Sequence, residues 1–246
     1  MPHRKLIARL QAVMSLAEPE QAKLAHMPHT VTSLAHGEYA VRQGDRPGRC
    51  LVVISGFLSR QRVIGDRNQI SSFYVAGDMP DVHTLQLPLV DHDLCSVGGS
   101  KIAFVPHSYL RELMKDSPAF IQAFWRETLI HAAIYREWVE NLGSRQALGR
   151  VAHLLCEFAT RLQLVGLLDN DCFRLPLTQQ NVADACGLSI VHVNRTLQEL
   201  RKGGMIEWQH QHFQLLNREK LEDVADFDPG YLHALVTPPA AIDKDS

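Results

Sequence analysis

The chain has 246 residues, room for two modest domains, and its 46% hydrophobic and 21% charged content is that of a folded globular protein, which argues against a disordered chain. Its 25 Lys plus Arg nearly balance 27 Asp plus Glu, a formal net charge of −2, so no global basic field holds it on a polyanion and any nucleic-acid contact must be local. No apolar run approaches the roughly 20 residues that span a bilayer, and Met1 to Leu10 lacks the apolar core of a secretory signal.

A cytoplasmic location with no membrane partner is therefore expected. The five cysteines, Cys50, Cys95, Cys156, Cys172 and Cys186, are odd in number and form no Cys-x-x-Cys pair, so reduced thiols are expected. From about Leu6 to Ala25 the pattern predicts a helical lead-in broken at Pro19. From roughly Val31 to Val105, short apolar runs such as Leu51-Val52-Val53-Ile54 and Ser72-Phe73-Tyr74-Val75 alternate with glycine turns at Gly44, Ser55-Gly56, Gly65 and Gly77. That rhythm predicts an antiparallel jelly roll. On pattern alone the roll could equally be a cupin-like metal-binding or enzymatic barrel.

Ser117-Pro118 reads as a cap and first position of a long helix. Ile121, Trp125, Thr128, Ala132, Tyr135, Val139 and Leu142 follow at spacings of three and four, a heptad-like seam, while Phe120, Phe124, Ile134 and Trp138 form a second stripe. One stripe can cover the chain's own roll and the other is free to pair with a second copy, so a homodimer is expected. The competing reading is one helix buried within a monomer. Gly143 reads as the hinge, after which Leu148, Val151, Leu155, Phe158 and Leu162 mark another helix.

Between Leu175 and Leu216 the sequence reads as a helix-turn-helix with a β-wing. Thr178 is a good N-cap, Val182, Ala183 and Ala185 give a small apolar face, and Gly187 supplies the left-handed residue of a tight interhelical turn. Ser189 caps a second helix whose buried stripe is Val193, Leu197 and Leu200. His192, Asn194, Arg195 and Gln198 fall off that stripe. An outer face carrying Asn and Arg near its N-terminal end suits the major groove, where both side chains can pair with purine edges. Arg195, Arg201 and Lys202 against Glu199 make this helix locally basic. Gly203-Gly204 ends it, and Met205 to Trp208 and Phe213 to Leu216 read as wing strands. An ordinary helical hairpin in a core would share much of this pattern.

The run Leu177 to Asp184, then Gly187-Leu188-Ser189, Val193 to Leu197, Leu200 and Gly204-Met205-Ile206, resembles the winged helix-turn-helix of the Crp–Fnr superfamily of bacterial transcription regulators. The resemblance extends over domain order, from about Leu6 to Asp228. It implies an α+β chain: a cyclic-nucleotide-binding-like β-roll sensor over residues 1–116, a dimerisation helix over 117–143, a winged helix-turn-helix over 144–228 and a tail over 229–246. It further implies a homodimer on a pseudo-palindromic site in double-stranded DNA, with half-sites about 34 Å apart. RNA polymerase is an implied partner if the protein activates. Matched to the family's DNA-facing positions, Val191, Asn194 and Arg195 would read bases, Arg195 taking a guanine, while Thr178, Gln180, Ser189 and His192 would position phosphates.

The family's cyclic-AMP binders hold the ligand with Gly-Glu and Arg-Ser or Arg-Thr pairs. Here the matching stretches are Asp81-Val82 and Asp91-His92-Asp93-Leu94, and no Lys or Arg lies between Arg67 and Lys101. A loop with Asp78, Asp81, Asp91 and Asp93 is expected to repel a cyclic phosphate. The positions that reach adenine, Thr then Ser in the cyclic-AMP regulator, correspond to Tyr135-Arg136. No cysteine precedes Cys50, which argues against the iron–sulfur cluster of the oxygen-sensing branch, and the thirteen histidines are scattered. No cofactor or metal is expected, and any effector is unidentified. His83 with Asp81, and His92 with Asp91 and Asp93, are the one grouping with metal-ligand chemistry. Cys186, beside the turn of the motif, would be a redox switch if exposed; otherwise it is a small buried apolar residue. No hydrolase elbow, zinc-protease helix or phosphate-binding loop is present, so the chain is not expected to be an enzyme. Asn217 to Phe227 predicts a last helix with Leu221, Val224 and Ala225 inward, and Thr237 to Ser246 a disordered end.

Overall fold

The computed structural model describes residues 2–235, so the tail from Thr237 lies outside the described residues. Two short helices lead in, α1 (Arg4–Gln11) and α2 (Glu18–Ala25). Pro19 does not break a helix. It sits in the first turn of α2, where a missing N–H leaves no bond unmade, and the interruption falls between the two helices.

The roll is a five-stranded antiparallel sheet of β1 (Thr30–Leu34), β2 (Tyr39–Val41), β3 (Arg49–Ile64), β4 (Arg67–Tyr74) and β5 (Asp93–Pro106), in the order β1-β5-β3-β4 with β2 also on β5. Ser55-Gly56 bends a strand instead of ending one. β3 runs through it for 16 residues, and its register against β5 slips on both sides of Ser55. Gly56 has φ +82°, and a Cβ there would lie 2.4 Å from the carbonyl oxygen of Gly99, so only glycine lets the two strands fold over together. Alternation along β3 sends Cys50 and Val52 into a core shared with the flanking helices, and Leu51 and Val53 into the roll's interior with Tyr74, Leu94 and Ile102.

A 3-10 turn (Val82–Leu85) precedes β5, and α3 (His107–Asp116) leads into α4 (Pro118–Ser144), whose N-cap hydroxyl, Ser117 Oγ, accepts from Ala119 N at 3.3 Å. Phe120, Phe124, Ile134 and Trp138 are buried against the chain's own domains. Gly143 is not the hinge, because α4 continues to Ser144. The chain turns at Arg145, which is extended and whose guanidinium holds Glu137 (2.9 Å) and the carbonyls of Ala225 (2.8 Å) and Asp226 (3.0 Å).

Beyond it lie α5 (Ala147–Leu164), β6 (Cys172–Arg174), α6 (Gln179–Cys186), α7 (Ile190–Lys202), β7 (Ile206–Gln209), β8 (His212–Leu215) and α8 (Arg218–Ala225), with the sheet ordered β6-β8-β7. This unit is seated on the roll. Phe158 of α5 meets Phe57 and Phe73 at ring-centroid distances of 5.6 and 5.3 Å. Beside these rings runs a buried chain of charges. Asp78 pairs with Arg161 (2.6 Å) and Arg9 (3.5 Å), Arg9 with Glu127 (3.6 Å), and Arg161 with Glu157 (2.9 Å). Glu157 also accepts from Trp138 Nε1 and Tyr231 OH, each at 2.9 Å. Burial works against the charge of Arg161, but Asp78 and Glu157 outweigh it and hold the guanidinium above its usual range.

Candidate nucleic-acid interface and sensor pocket

The turn between α6 and α7 is fixed by local chemistry. Thr178 Oγ1 accepts from Asn181 N at 3.1 Å while Asn181 Oδ1 accepts from Thr178 N at 2.9 Å, a reciprocal cap. Gly187 takes the left-handed conformation (φ +63°), and Ser189 Oγ accepts from His192 N at 3.2 Å. Val193, Leu197 and Leu200 then face the core, leaving Val191 71% exposed, His192, Arg195 and Gln198 exposed, and Asn194 half-buried. Among the described residues Arg195 has no hydrogen-bond or ion-pair partner, so its five donors are available. Asn194 is partly engaged: its Oδ1 accepts from Gln198 Nε2 at 3.0 Å.

The residues expected at phosphates do local work here. The hydroxyls of Thr178 and Ser189 are spent on caps, and Gln180 Nε2 donates to Asp184 Oδ1 at 2.5 Å. Arg201 donates to Trp208 O (2.8 Å) and ties the wing to the recognition helix. The β3–β4 hairpin reaches this unit too. Asn68 and Gln69 donate to the carboxylate (3.0 Å) and backbone carbonyl (2.9 Å) of Asp184, and a cavity of about 680 Å³ separates Asp66 and Arg67 from Gln180 and Ser189.

On α4 the seam faces outward. Ile121, Trp125 and Val139 are 47%, 65% and 70% exposed, with Thr128, Ala132, Tyr135 and Leu142 half-buried beside them and Leu129 adding to the face.

The four aspartates of the sensor loop do not form a repelling group. Asp78 lies in the buried charge chain, Asp81 accepts from Leu51 N (2.8 Å), Asp93 accepts from Gln43 N (2.8 Å), and Asp91 holds His92 and Arg60. Burial pushes the Asp81 carboxyl up to about 7, against the Leu51 N–H that favours its ionised form. Counting cations along the loop missed Arg60, which reaches in from β3 to Asp91 (3.0 Å) and donates to Tyr135 OH (2.6 Å) on α4; Tyr135 OH also meets Tyr74 OH at 2.5 Å. Burial, aided by His92 and Arg60, lowers His83 to about 4, and burial with Arg60 lowers His92 despite Asp91, so both imidazoles are neutral at neutral pH.

Cys186 is 1% exposed, its Sγ lies 3.8 Å from Arg150 O, and burial pushes the thiol up to about 12. Of the two readings of Cys186, this burial fits the small apolar residue packed behind the turn.

A β-roll, a long helix with one uncovered apolar face and a winged helix-turn-helix with an open basic recognition helix define a DNA-binding transcription regulator. A family model described as the Crp-like helix-turn-helix domain matches residues 149–224. A probable transcriptional activator of Rhizobium leguminosarum bv. viciae is 31% identical over 124 residues, 50% of this chain and 51% of that one, so the chain spans about half of that relative. The transcriptional activator protein FnrL of Cereibacter sphaeroides is 26% identical over 208 residues, 83% of this chain and 80% of its own. The structure of FixK2 from Bradyrhizobium japonicum superposes with a TM-score of 0.73 at 21% identity, covering 80% of this chain and 98% of that one, a likeness of fold. Residues 149–224 thus carry a Crp-like helix-turn-helix domain, and most of the chain is similar to regulators of the Crp–Fnr type.

Proposed function

We propose that the protein binds a pseudo-palindromic DNA site as a homodimer, joined along the exposed seam of α4 and controlled by its β-roll without cyclic AMP. The division is a sensor over residues 1–116, a dimer helix over 117–143, a DNA-binding unit over 144–228 and a tail over 229–246, of which the first turn, Pro229–Leu232, packs back through Tyr231 and Leu232. The observation that carries it is the outer face of α7, where Arg195 stands unpaired and exposed beside Val191 and Asn194. Arg195 reads a guanine through O6 and N7, Asn194 an adenine, and Val191 a thymine methyl. Thr178, Gln180, Ser189 and His192 meet phosphates through backbone N–H groups and freed side chains. The relatives named as activators support a cytoplasmic regulator that also touches RNA polymerase. Among the described residues no helix is long and apolar enough to cross a membrane.

Selection of bound sequences from random duplex DNA by the purified protein tests this. Enrichment of a two-fold site with a guanine in each half is expected. Arg195→Ala should weaken that site by about 1–3 kcal/mol and relax one base position; an equal loss on every sequence would make Arg195 a phosphate contact and overturn its role in base reading.

A further inference from the structure

Three metal-ligating side chains distant in sequence meet at the edge of the roll. His83 comes from the 3-10 turn, Asp91 and His92 from the loop before β5, and one donor atom of each lies within 4.8 Å of the other two. His92 is 1% exposed. It donates Nδ1–H to Asp91 Oδ1 at 2.5 Å, which leaves Nε2 as the lone-pair nitrogen, and that atom is enclosed with no hydrogen-bond partner. Asp81 and Asp93, the other acids near these histidines in sequence, are committed to backbone N–H groups and take no part.

We infer that His83, Asp91 and His92 bind one divalent transition-metal ion of the imidazole-preferring kind. Two imidazoles and a carboxylate are donors that favour zinc, iron(II) or nickel over calcium or magnesium. Metal–donor bonds of about 2.0–2.2 Å place tetrahedral donors about 3.3–3.6 Å apart, so donors within 4.8 Å of one another close by at most about 1.5 Å. Asp91, 72% exposed, can supply that movement by giving up its bond to His92 Nδ1 and turning toward the Nε2 side of the ring. A cavity of about 430 Å³ onto which His83 and Asp91 open gives an entry path. The second acidic cluster, Asp78, Glu127 and His131, is no competitor, because Arg9 and Arg161 already neutralise it.

The ion has a built-in opponent. Arg60 sits 3.0 Å from Asp91, and a cation that takes this carboxylate displaces the guanidinium, which also bonds Tyr135 on α4. Occupancy therefore alters a contact between the roll and the helix that carries the seam. This consequence rests on the proposed regulatory function; the site itself does not.

The test is titration of chelator-stripped full-length protein with zinc against a chromophoric competitor, with cobalt(II) absorption as a second readout. One ion per chain is expected, and His83→Ala and Asp91→Asn, at exposed or half-buried positions, should each weaken binding by at least about tenfold with an unchanged melting curve. No stoichiometric zinc or cobalt, or affinity unaffected by both substitutions, overturns the site. DNA binding is then compared with and without zinc. A response in the wild type that His83→Ala abolishes supports the coupling; zinc bound at His83 with no DNA response overturns the coupling alone, and no DNA binding in either state overturns the proposed function while leaving the site.

Discussion

Asp78→Ala should be among the most damaging single substitutions in the chain. Asp78 Oδ2 accepts from Arg161 Nη2 (2.6 Å) and from Val75 N (2.7 Å), its Oδ1 lies 3.5 Å from Arg9 Nε, and it is wholly buried with both arginines only 2% exposed. Removing it leaves two enclosed guanidiniums to share Glu127 and Glu157. Breaking a buried pair on one side costs about 3–5 kcal/mol, and the orphaned Val75 N–H adds about 1–3 kcal/mol where water cannot replace the acceptor. These overlap, so a loss of about 4 kcal/mol is expected, which for a chain of this size lowers the thermal midpoint by about 8–16 °C. Asp78→Asn keeps an acceptor for Val75 and should fall between. Thermal and urea unfolding at fixed protein concentration measure both. A loss below about 1 kcal/mol for Asp78→Ala, or an Asp78→Asn protein as stable as the wild type, would show that the arginines are solvated and that the buried-charge argument is wrong.

Trp125 is 65% exposed, so covering it in a dimer removes about 100–160 Å² and contributes roughly 2.5–4 kcal/mol per copy. Trp125→Ala should therefore raise the dimer dissociation constant at least about tenfold in sedimentation runs, and an unchanged constant would move the interface elsewhere. Acid should destabilise the fold through Glu127. Burial disfavours its charge, but Arg9 and His131, with Arg161 further off, outweigh that and hold it well below its ordinary 4.5. Its contribution is complete above pH 4.5 and lost as pH falls below it, so Glu127→Gln should flatten the acid limb of a stability–pH curve. Thiol titration of the native protein should modify Cys172, the half-buried cysteine, well before the other four, and peroxide should leave DNA affinity unchanged; rapid modification of Cys186 would contradict its burial.

What the sequence displayed clearly was chemistry that acts within a few residues. The caps at Thr178, Ser189 and Ser117, the left-handed Gly187 and the stripe Val193, Leu197, Leu200 all depend on neighbours three or four positions away, and each stands where the pattern put it. The two stripes of α4 separate as expected because their spacing alone decides which faces inward. The failures concern long-range partners. Gly56 reads as a turn until Gly99 is found against it, and β6 is three residues long, too short for any period. The aspartates of the sensor loop look like one negative patch, yet their partners Arg9, Arg161, Leu51, Gln43 and Arg60 come from elsewhere in the chain. Arg60 was invisible for the same reason: nothing local to β3 says that it reaches Asp91 and Tyr135.

The distribution of contacts between roll and DNA-binding unit also says where relative motion is cheap. On one side stand Asp78–Arg161 and Phe158 against Phe57 and Phe73, all enclosed, with Trp138 of α4 bonding Glu157 beside them. Separating these exposes unpaired charge and aromatic surface together, at several kcal/mol. On the other side the β3–β4 hairpin holds α6 through two hydrogen bonds to Asp184 beside a polar cavity, worth about 1–3 kcal/mol together because water can replace them. Relative motion of the two units should therefore break the Asp184 bonds before the Asp78–Arg161 pair, widening the cavity between the hairpin and Gln180, Ser189 and Ile190 at the start of α7. Asn68→Ala with Gln69→Ala should accordingly cost less than about 3 kcal/mol in urea unfolding, and a loss as large as that of Asp78→Ala would refute this ordering.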